Sequence, residues 1–281
     1  MSRYSLLVIL MIALATPASA AHNLAISGNR ITLDGKRGQV LYRDRGDLDG
    51  DRRNETVFAM LPYDNPFTVI VVARRAHGWQ LVATHEVGYY SLRTDVTDVN
   101  GDGKAEIVAR GMSGDGHGWC DIYALRQGDL VQLGDFSDTK LRDLSGDGIP
   151  EVLSVSMVSF GFVGDHWLTI YKWNGQGYTD VSRRFPQMYD RVIRDLRRVI
   201  HNLQFTKDYG FKGNPRDDPE LFADLYYYLG KAFEYRGLPD KARMQYAIAY
   251  GLDPKDDDIV SAFRRTHPPR SQGYRQDFAR P

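Results

Sequence analysis

Asp98-Val-Asn100-Gly-Asp102-Gly-Lys-Ala-Glu106 is the stretch on which the reading of this chain turns. Carboxylate or amide oxygens stand at the first, third and fifth positions, glycines lie between them, and an acid closes the run at the ninth. In a tight loop the alternate side chains point into one concavity, which the carbonyl of the seventh position can join, and an all-oxygen donor set suits a hard cation. Calcium takes roughly six to eight oxygens, so five protein positions complete its shell with bidentate binding or water. Magnesium, with its strict octahedron and retained waters, fits less well. The run is not an EF-hand, whose closing glutamate would fall at the twelfth position, here Ala109.

Two further stretches superimpose on the first. Asp47-Leu-Asp49-Gly-Asp51-Arg-Arg-Asn-Glu55 begins 51 residues earlier, and Asp143-Leu-Ser145-Gly-Asp147-Gly-Ile-Pro-Glu151 begins 45 residues later. The candidate metal ligands are therefore Asp47, Asp49, Asp51 and Glu55; Asp98, Asn100, Asp102 and Glu106; and Asp143, Ser145, Asp147 and Glu151. The first copy has Arg52 where a glycine would tolerate a left-handed turn, and Arg52 and Arg53 stand beside its four acids as candidate substitutes for a metal. The third offers a weaker donor, Ser145. Asp/Gly clusters also make plain turns, and the matching ninth-position acid in three copies is what favours metal over that reading.

Each copy is followed by apolar residues (Thr56 to Leu61, Ile107 to Ala109, Val152 to Val155), then a loop, then a second stretch rich in aromatic and β-branched residues. Those second stretches are Phe67 to Val72, Trp119 to Leu125 and Trp167 to Trp173, and a third strand follows each. A loop and three strands repeating every ~40–50 residues matches the period of a propeller blade. The loops resemble the calcium loops of FG-GAP/VCBS repeats, the blades of integrin-α-type β-propellers, over roughly residues 40 to 180. The resemblance implies a β domain of propeller-like antiparallel blades, with three recognisable repeats and calcium pinning the hairpin loops. Three blades are fewer than the usual four to eight, so closure within one chain is left open. An early pair of strands, Leu24 to Ser27 and Asn29 to Leu33, is available either to complete a last blade or to cover an edge.

From Pro186 the texture changes to helical spacing. Met188, Val192, Leu196, Val199 and Leu203 predict an amphipathic helix over 187–205, and loop signals run from Tyr209 to Pro219. Tyr226, Leu229, Gly230, Phe233, Gly237, Ala242, Tyr246, Ala249 and Pro254 then fall at the diagnostic positions of a tetratricopeptide repeat. This segment, 223–256, resembles one such repeat. Gly230 and Ala242 would let two antiparallel helices approach closely, and Pro254 ends the second. One repeat cannot bury its face alone, so the preceding helix and residues 257–265 are expected to pack around it. The predicted organisation is a signal peptide at 1–20, a β-repeat domain at 21–185, a small all-α domain at 186–265 with one tetratricopeptide helix pair, and a disordered tail at 266–281.

The signal reading rests on Arg3, the apolar run Leu6 to Ala15 and the small-x-small site Ala18-Ser19-Ala20. Ten apolar residues span about half a bilayer, which argues for cleavage rather than anchoring, and no later segment approaches the length of a span. The 281 residues carry 36 basic and 36 acidic side chains, so no global field attracts nucleic acid. A single cysteine, Cys120, excludes an intrachain disulfide.

Catalytic chemistry is thin. His85-Glu86 opens like a zincin helix, but Tyr89 stands where the second histidine is required. Gly114 to Gly118 is glycine-rich but precedes a strand, without the helix N-terminus that holds phosphate. The Arg45-Gly46-Asp47 tripeptide shares its acid with the first loop. His77 with Trp79, His117 with Trp119, and His166 with Trp167 offer aromatic platforms for a glycan or protein, or simply blade packing. Arg191, Arg194 and Arg198 share one helix face, read as solvated. The chain is accordingly expected to be a non-enzymatic, exported, calcium-binding scaffold, periplasmic or extracellular, that takes a protein or peptide partner through its helical repeat. The competing expectation is an inhibitor of a secreted hydrolase, or a polysaccharide-binding module, acting through Trp119 and Trp167.

Overall fold

The computed structural model describes residues 23–65, 68–75, 78–88, 91–112, 118–157, 166–205 and 218–268. The signal segment 1–20, His77, Tyr89, the glycine-rich run 114–117, the loop at 209–217 and the tail from residue 269 lie outside them.

Strands β1 (Leu24–Ser27), β2 (Arg30–Leu33), β3 (Lys36–Gly46), β4 (Glu55–Pro62), β5 (Thr68–Arg75) and β6 (Trp79–Val87) form one antiparallel sheet in chain order. A second sheet holds β7 (Ser91–Thr97), β8 (Glu106–Met112), β9 (Gly118–Arg126) and β10 (Asp129–Ser137), and a third β11 (Thr139–Arg142), β12 (Glu151–Met157), β13 (His166–Trp173) and β14 (Tyr178–Asp180). Neighbours in sequence are neighbours in space, so every sheet is a meander. The repeating unit has four strands, not three, because β3, β7 and β11 precede the acidic loops. Their signal in the sequence is weak: β3 reads Lys-Arg-Gly-Gln-Val-Leu-Tyr-Arg-Asp-Arg-Gly and is mostly exposed. The β1–β2 hairpin adds to the outer side of β3, so it covers an edge that would otherwise invite pairing with another chain.

Inner strands carry continuous burial rather than alternation, because both of their faces are packed. One side of β4 and β5 (Val57, Ala59, Ile70, Val72) meets Leu92, Ile107, Ala109 and Tyr123 of the second sheet. The opposite side of that second sheet (Val108, Cys120, Ile122 and Phe136) meets Val152 and Tyr171 of the third. The three sheets therefore stack face to face in chain order, each fully buried side chain contributing about 1.5–3 kcal/mol. Cys120 lies inside the second of these interfaces, fully buried, and burial pushes its thiol up to about 11. The native protein should therefore resist a thiol reagent at pH ~8 at least ~100-fold more than the unfolded chain, which should titrate one thiol. Fast labelling without denaturant would contradict this packing.

Beyond two single 3₁₀ turns come helices α1 (Tyr189–Phe205), α2 (Pro219–Tyr235), α3 (Pro239–Leu252) and α4 (Asp257–Thr266). Proline opens α2 and α3, where its missing N–H costs nothing. The Asp218 and Asp256 side chains cap α2 and α4 by accepting from Leu221 N and Ile259 N. The apolar stripe of α1, Val192, Leu196, Val199 and Leu203, is buried against Phe222, Leu225 and Leu229 of α2. Its exposed arginines behave as a solvated face, with Arg191 and Arg198 both paired to Asp195. Trp167 of β13 enters the same helical core, ringed by Tyr189, Tyr228 and Tyr235. Among the described residues no helix is long and apolar enough to cross a membrane.

Candidate functional site

The three acidic loops join β3 to β4, β7 to β8 and β11 to β12, and they lie close together at one edge of the stack. Ala105 N donates to Asp47 O at 2.8 Å, and Gly101 abuts Ile149 so closely that a Cβ there would sit 2.5 Å from its Cδ1. Each loop is pinned in the same way. Its first aspartate accepts backbone N–H groups from the fourth and sixth positions: Asp47 from Gly50 and Arg52, Asp98 from Gly101 and Gly103, Asp143 from Gly146 and Gly148. The sixth residue is left-handed in all three, with φ of 67° at Arg52, 84° at Gly103 and 85° at Gly148. The first loop thus holds the common shape with a residue that is strained there.

The second-position residues, Leu48, Val99 and Leu144, anchor the loops in the sheet cores. Their N–H groups donate to Oε2 of the ninth-position glutamate, at 3.0 Å to Glu55, 3.0 Å to Glu106 and 2.6 Å to Glu151. These glutamates are at most 1% exposed, and a buried carboxylate is costly unless something neutralises it.

What neutralises it differs among the loops. In the first, Arg74 of β5 donates from Nε to Glu55 Oε1 at 2.9 Å and from Nη2 to Glu55 Oε1 and Asp49 Oδ2 at 2.5 and 2.7 Å, with Asp51 Oδ2 at 3.3 Å. Arg74, not Arg52 or Arg53, is the guanidinium inside the loop. In the third, Lys172 Nζ of β13 donates to Ser145 Oγ (2.7 Å), Asp147 Oδ1 (2.8 Å), the Ile149 carbonyl (3.1 Å) and Glu151 Oε1 (2.7 Å). Those partners are the third, fifth, seventh and ninth positions, the donor set read from the sequence for a cation. In the second loop the corresponding oxygen, Glu106 Oε1, accepts from the neutral Asn100 amide at 2.7 Å and, among the described residues, from no cation.

Electrostatics follow this difference. Burial pushes the Glu106 carboxyl up, to about 7, and the nearby Asp102 and Asp98 carboxylates add to the rise against the Val99 N–H. Burial also pushes Glu151 up, but the Lys172 ammonium, the Ser145 hydroxyl and the Leu144 N–H outweigh it and hold the group below the usual carboxylate range. One further buried polar atom belongs to a residue packed against the cluster that includes Val99 of the second loop. Tyr178 Oη on β14 has no hydrogen-bond partner among the described residues, and its acidity is weakened by burial and by the charges of Glu106, Cys120 and Asp98.

All twelve ligand candidates thus sit in equivalent loop positions. Asp47, Asp49 and Glu55 form a cluster able to hold a metal ion, with Arg74 already on two of its members. Sequence reasoning missed Arg74 and Lys172 because the hairpins between loop and facing strand differ in length, so no constant spacing marks them. Of the aromatic platforms, Trp167 is core at 5% exposure and Trp79 packs edge-on against Phe58. Trp119 is exposed in an open cleft of about 400 Å³ lined also by Tyr42, Arg93, Arg110 and Met112.

No family model matches the chain and no solved structure matches it. Among curated proteins, 186 residues (63% of the chain) align at 23% identity with a subunit of the mitochondrial glutamyl-tRNA(Gln) amidotransferase of Candida tropicalis. The chain spans 38% of that relative's length. A match of that identity and extent assigns the chain neither a family nor an activity.

Proposed function

We propose that the chain is an exported, non-enzymatic, calcium-binding interaction scaffold of the periplasm or the cell exterior, built from FG-GAP/VCBS-like propeller blades followed by one tetratricopeptide-like helix pair. One observation carries the reading: three loops converge on one design, in which inward-facing oxygens and a buried glutamate surround a point where positive charge belongs. The face-to-face stack of four-stranded meanders supports the blade assignment. The close pair α2 and α3, flanked by α1 and α4, supports a helical surface for a protein or peptide segment.

The second loop fits calcium best, since it offers hard oxygen donors and Glu106 has no cation of its own among the described residues. Asp98, Asn100, Asp102 and Glu106 would hold the ion, which would supply structural charge and no chemistry. Chelator should therefore lower the melting temperature and calcium should restore it. At a free calcium ~100 times Kd the linkage is about 2.7 kcal/mol, or about 5–10 °C for a chain of this size. An identical melt in chelator and in calcium would remove the metal reading.

The exposed Trp119 cleft keeps a second reading in view, an inhibitor of a secreted hydrolase or a glycan-binding module. Trp119→Ala should then abolish retention on a polysaccharide column or inhibition of the hydrolase while leaving the melt unchanged.

A further inference from the structure

We propose that Arg74 and Lys172 are resident cations that take the metal's place in the first and third loops, so that the chain binds one divalent cation, in the second loop, and residue 124 decides that it does. The inference rests on the cation-cage reading above and divides it among the three copies.

The argument is one of register. On β4 and β5, Thr56 faces Ala73, so Glu55 stands opposite Arg74. On β12 and β13, Val152 faces Tyr171, so Glu151 stands opposite Lys172. On β8 and β9, Ile107 faces Tyr123, so Glu106 stands opposite residue 124, which is alanine. The three facing residues also share a side of their sheets. Two residues before each, Val72, Ile122 and Ile170 all lie on the side turned toward the following sheet or helices, and side chains two apart on a strand point the same way.

In the first and third loops the facing residue thus delivers a cationic nitrogen to the oxygens of the third, fifth and ninth positions. These are stand-in ions, and they show where the loops concentrate negative charge. The second loop keeps three carboxylates, Asp98, Asp102 and Glu106, but its facing residue ends at a methyl group and delivers no charge. The ring of Tyr178 packs against the cluster that includes Val99 of this loop, and its buried hydroxyl has no hydrogen-bond partner among the described residues, a polar atom that a bound water would satisfy. The loop with the complete Asp/Asn/Asp/Glu set is thus the one without a built-in cation. The loop with a serine in place of an acid is closed by a lysine.

The test is calcium stoichiometry on the mature chain by equilibrium dialysis, with calcium as the sole added divalent ion. The wild type should bind one ion. Ala124→Lys, which places an ammonium opposite Glu106, should bind none, and its melting temperature should no longer respond to chelator. Lys172→Met, which vacates the third loop, should bind two. The variants change the count in opposite directions, so misfolding of one cannot imitate the pattern, and circular dichroism checks that each is folded. Two or three ions on the wild type, or one ion still bound by folded Ala124→Lys, would overturn the division while leaving the calcium reading intact. No ion on any folded variant would overturn both.

Discussion

Lys172→Met, measured in chelator at neutral pH, should cost about 3 kcal/mol of unfolding free energy. The Lys172 side chain is 15% exposed and that of Glu151 0%, so removing the cation leaves a carboxylate inside the protein with no charge to answer it. Breaking a buried pair by deleting one partner typically costs ~3–5 kcal/mol. Four acceptors lose a donor at once: Ser145 Oγ, Asp147, the Ile149 carbonyl and Glu151 Oε1. The pH dependence distinguishes this from simple loss of packing. In the wild type the Glu151 carboxyl is held below its ordinary value, so its contribution is fully present above that value and is lost as the pH falls through the lowered one. In the variant Glu151 should resemble Glu106, which lacks a cation and is raised to about 7. Its carboxylate then destabilises the folded state as the pH rises through the raised value, so the penalty should be largest at pH ~8 and shrink toward pH ~5. Adding Glu151→Gln to Lys172→Met should recover much of the loss, since a neutral amide needs no counter-charge. Equal penalties at both pH values, or no penalty, would show that the ammonium does not neutralise this glutamate.

This behaviour was half legible in the sequence. The loops announce themselves, because aspartate and glycine at fixed positions dictate both the backbone hydrogen bonds and the left-handed turns, and these are local requirements. The ninth-position glutamate is legible for the same reason. The residue that answers it is not, because Arg74, Ala124 and Lys172 reach the loops through strand pairing, and hairpins of unequal length erase any sequence spacing. The β3 strand was also hidden, since residues on a mostly exposed strand are chosen by solvent as much as by the ladder. Trp167 is a different case. Its aromatic character allowed a surface platform but favoured core or turn packing, and the arrival of α1 and α2 over β13 makes it core.

Gly230→Val should destabilise the helical region by about 3 kcal/mol or more. Gly230 sits within α2, where glycine alone would cost ~1 kcal/mol relative to alanine, so its presence needs a reason. A Cβ at this position would lie 2.8 Å from both Cδ1 and Cε1 of Tyr246 and 3.3 Å from the Ala242 carbonyl oxygen. The Tyr246 ring cannot retreat easily, because it is fully buried and its hydroxyl donates to Glu234 Oε2 at 2.8 Å. The same Glu234 oxygen accepts from Arg265 of α4 at 2.8 Å, and its other oxygen from Arg183 at 2.6 Å. Forcing α2 and α3 apart at Gly230 therefore strains a hydroxyl, a carboxylate and two guanidinium groups as well as an apolar contact. Gly230→Ala separates the two contributions: it gains helix propensity of up to ~1 kcal/mol and loses ~1–3 kcal/mol to overpacking, so it should be destabilised by less than the valine variant. Urea titrations followed by the fluorescence of Trp167, which lies against Tyr228 and Tyr235 of α2, give the ordering directly. If valine is tolerated with an unchanged midpoint, α2 and α3 do not meet at the distance that Gly230 makes possible.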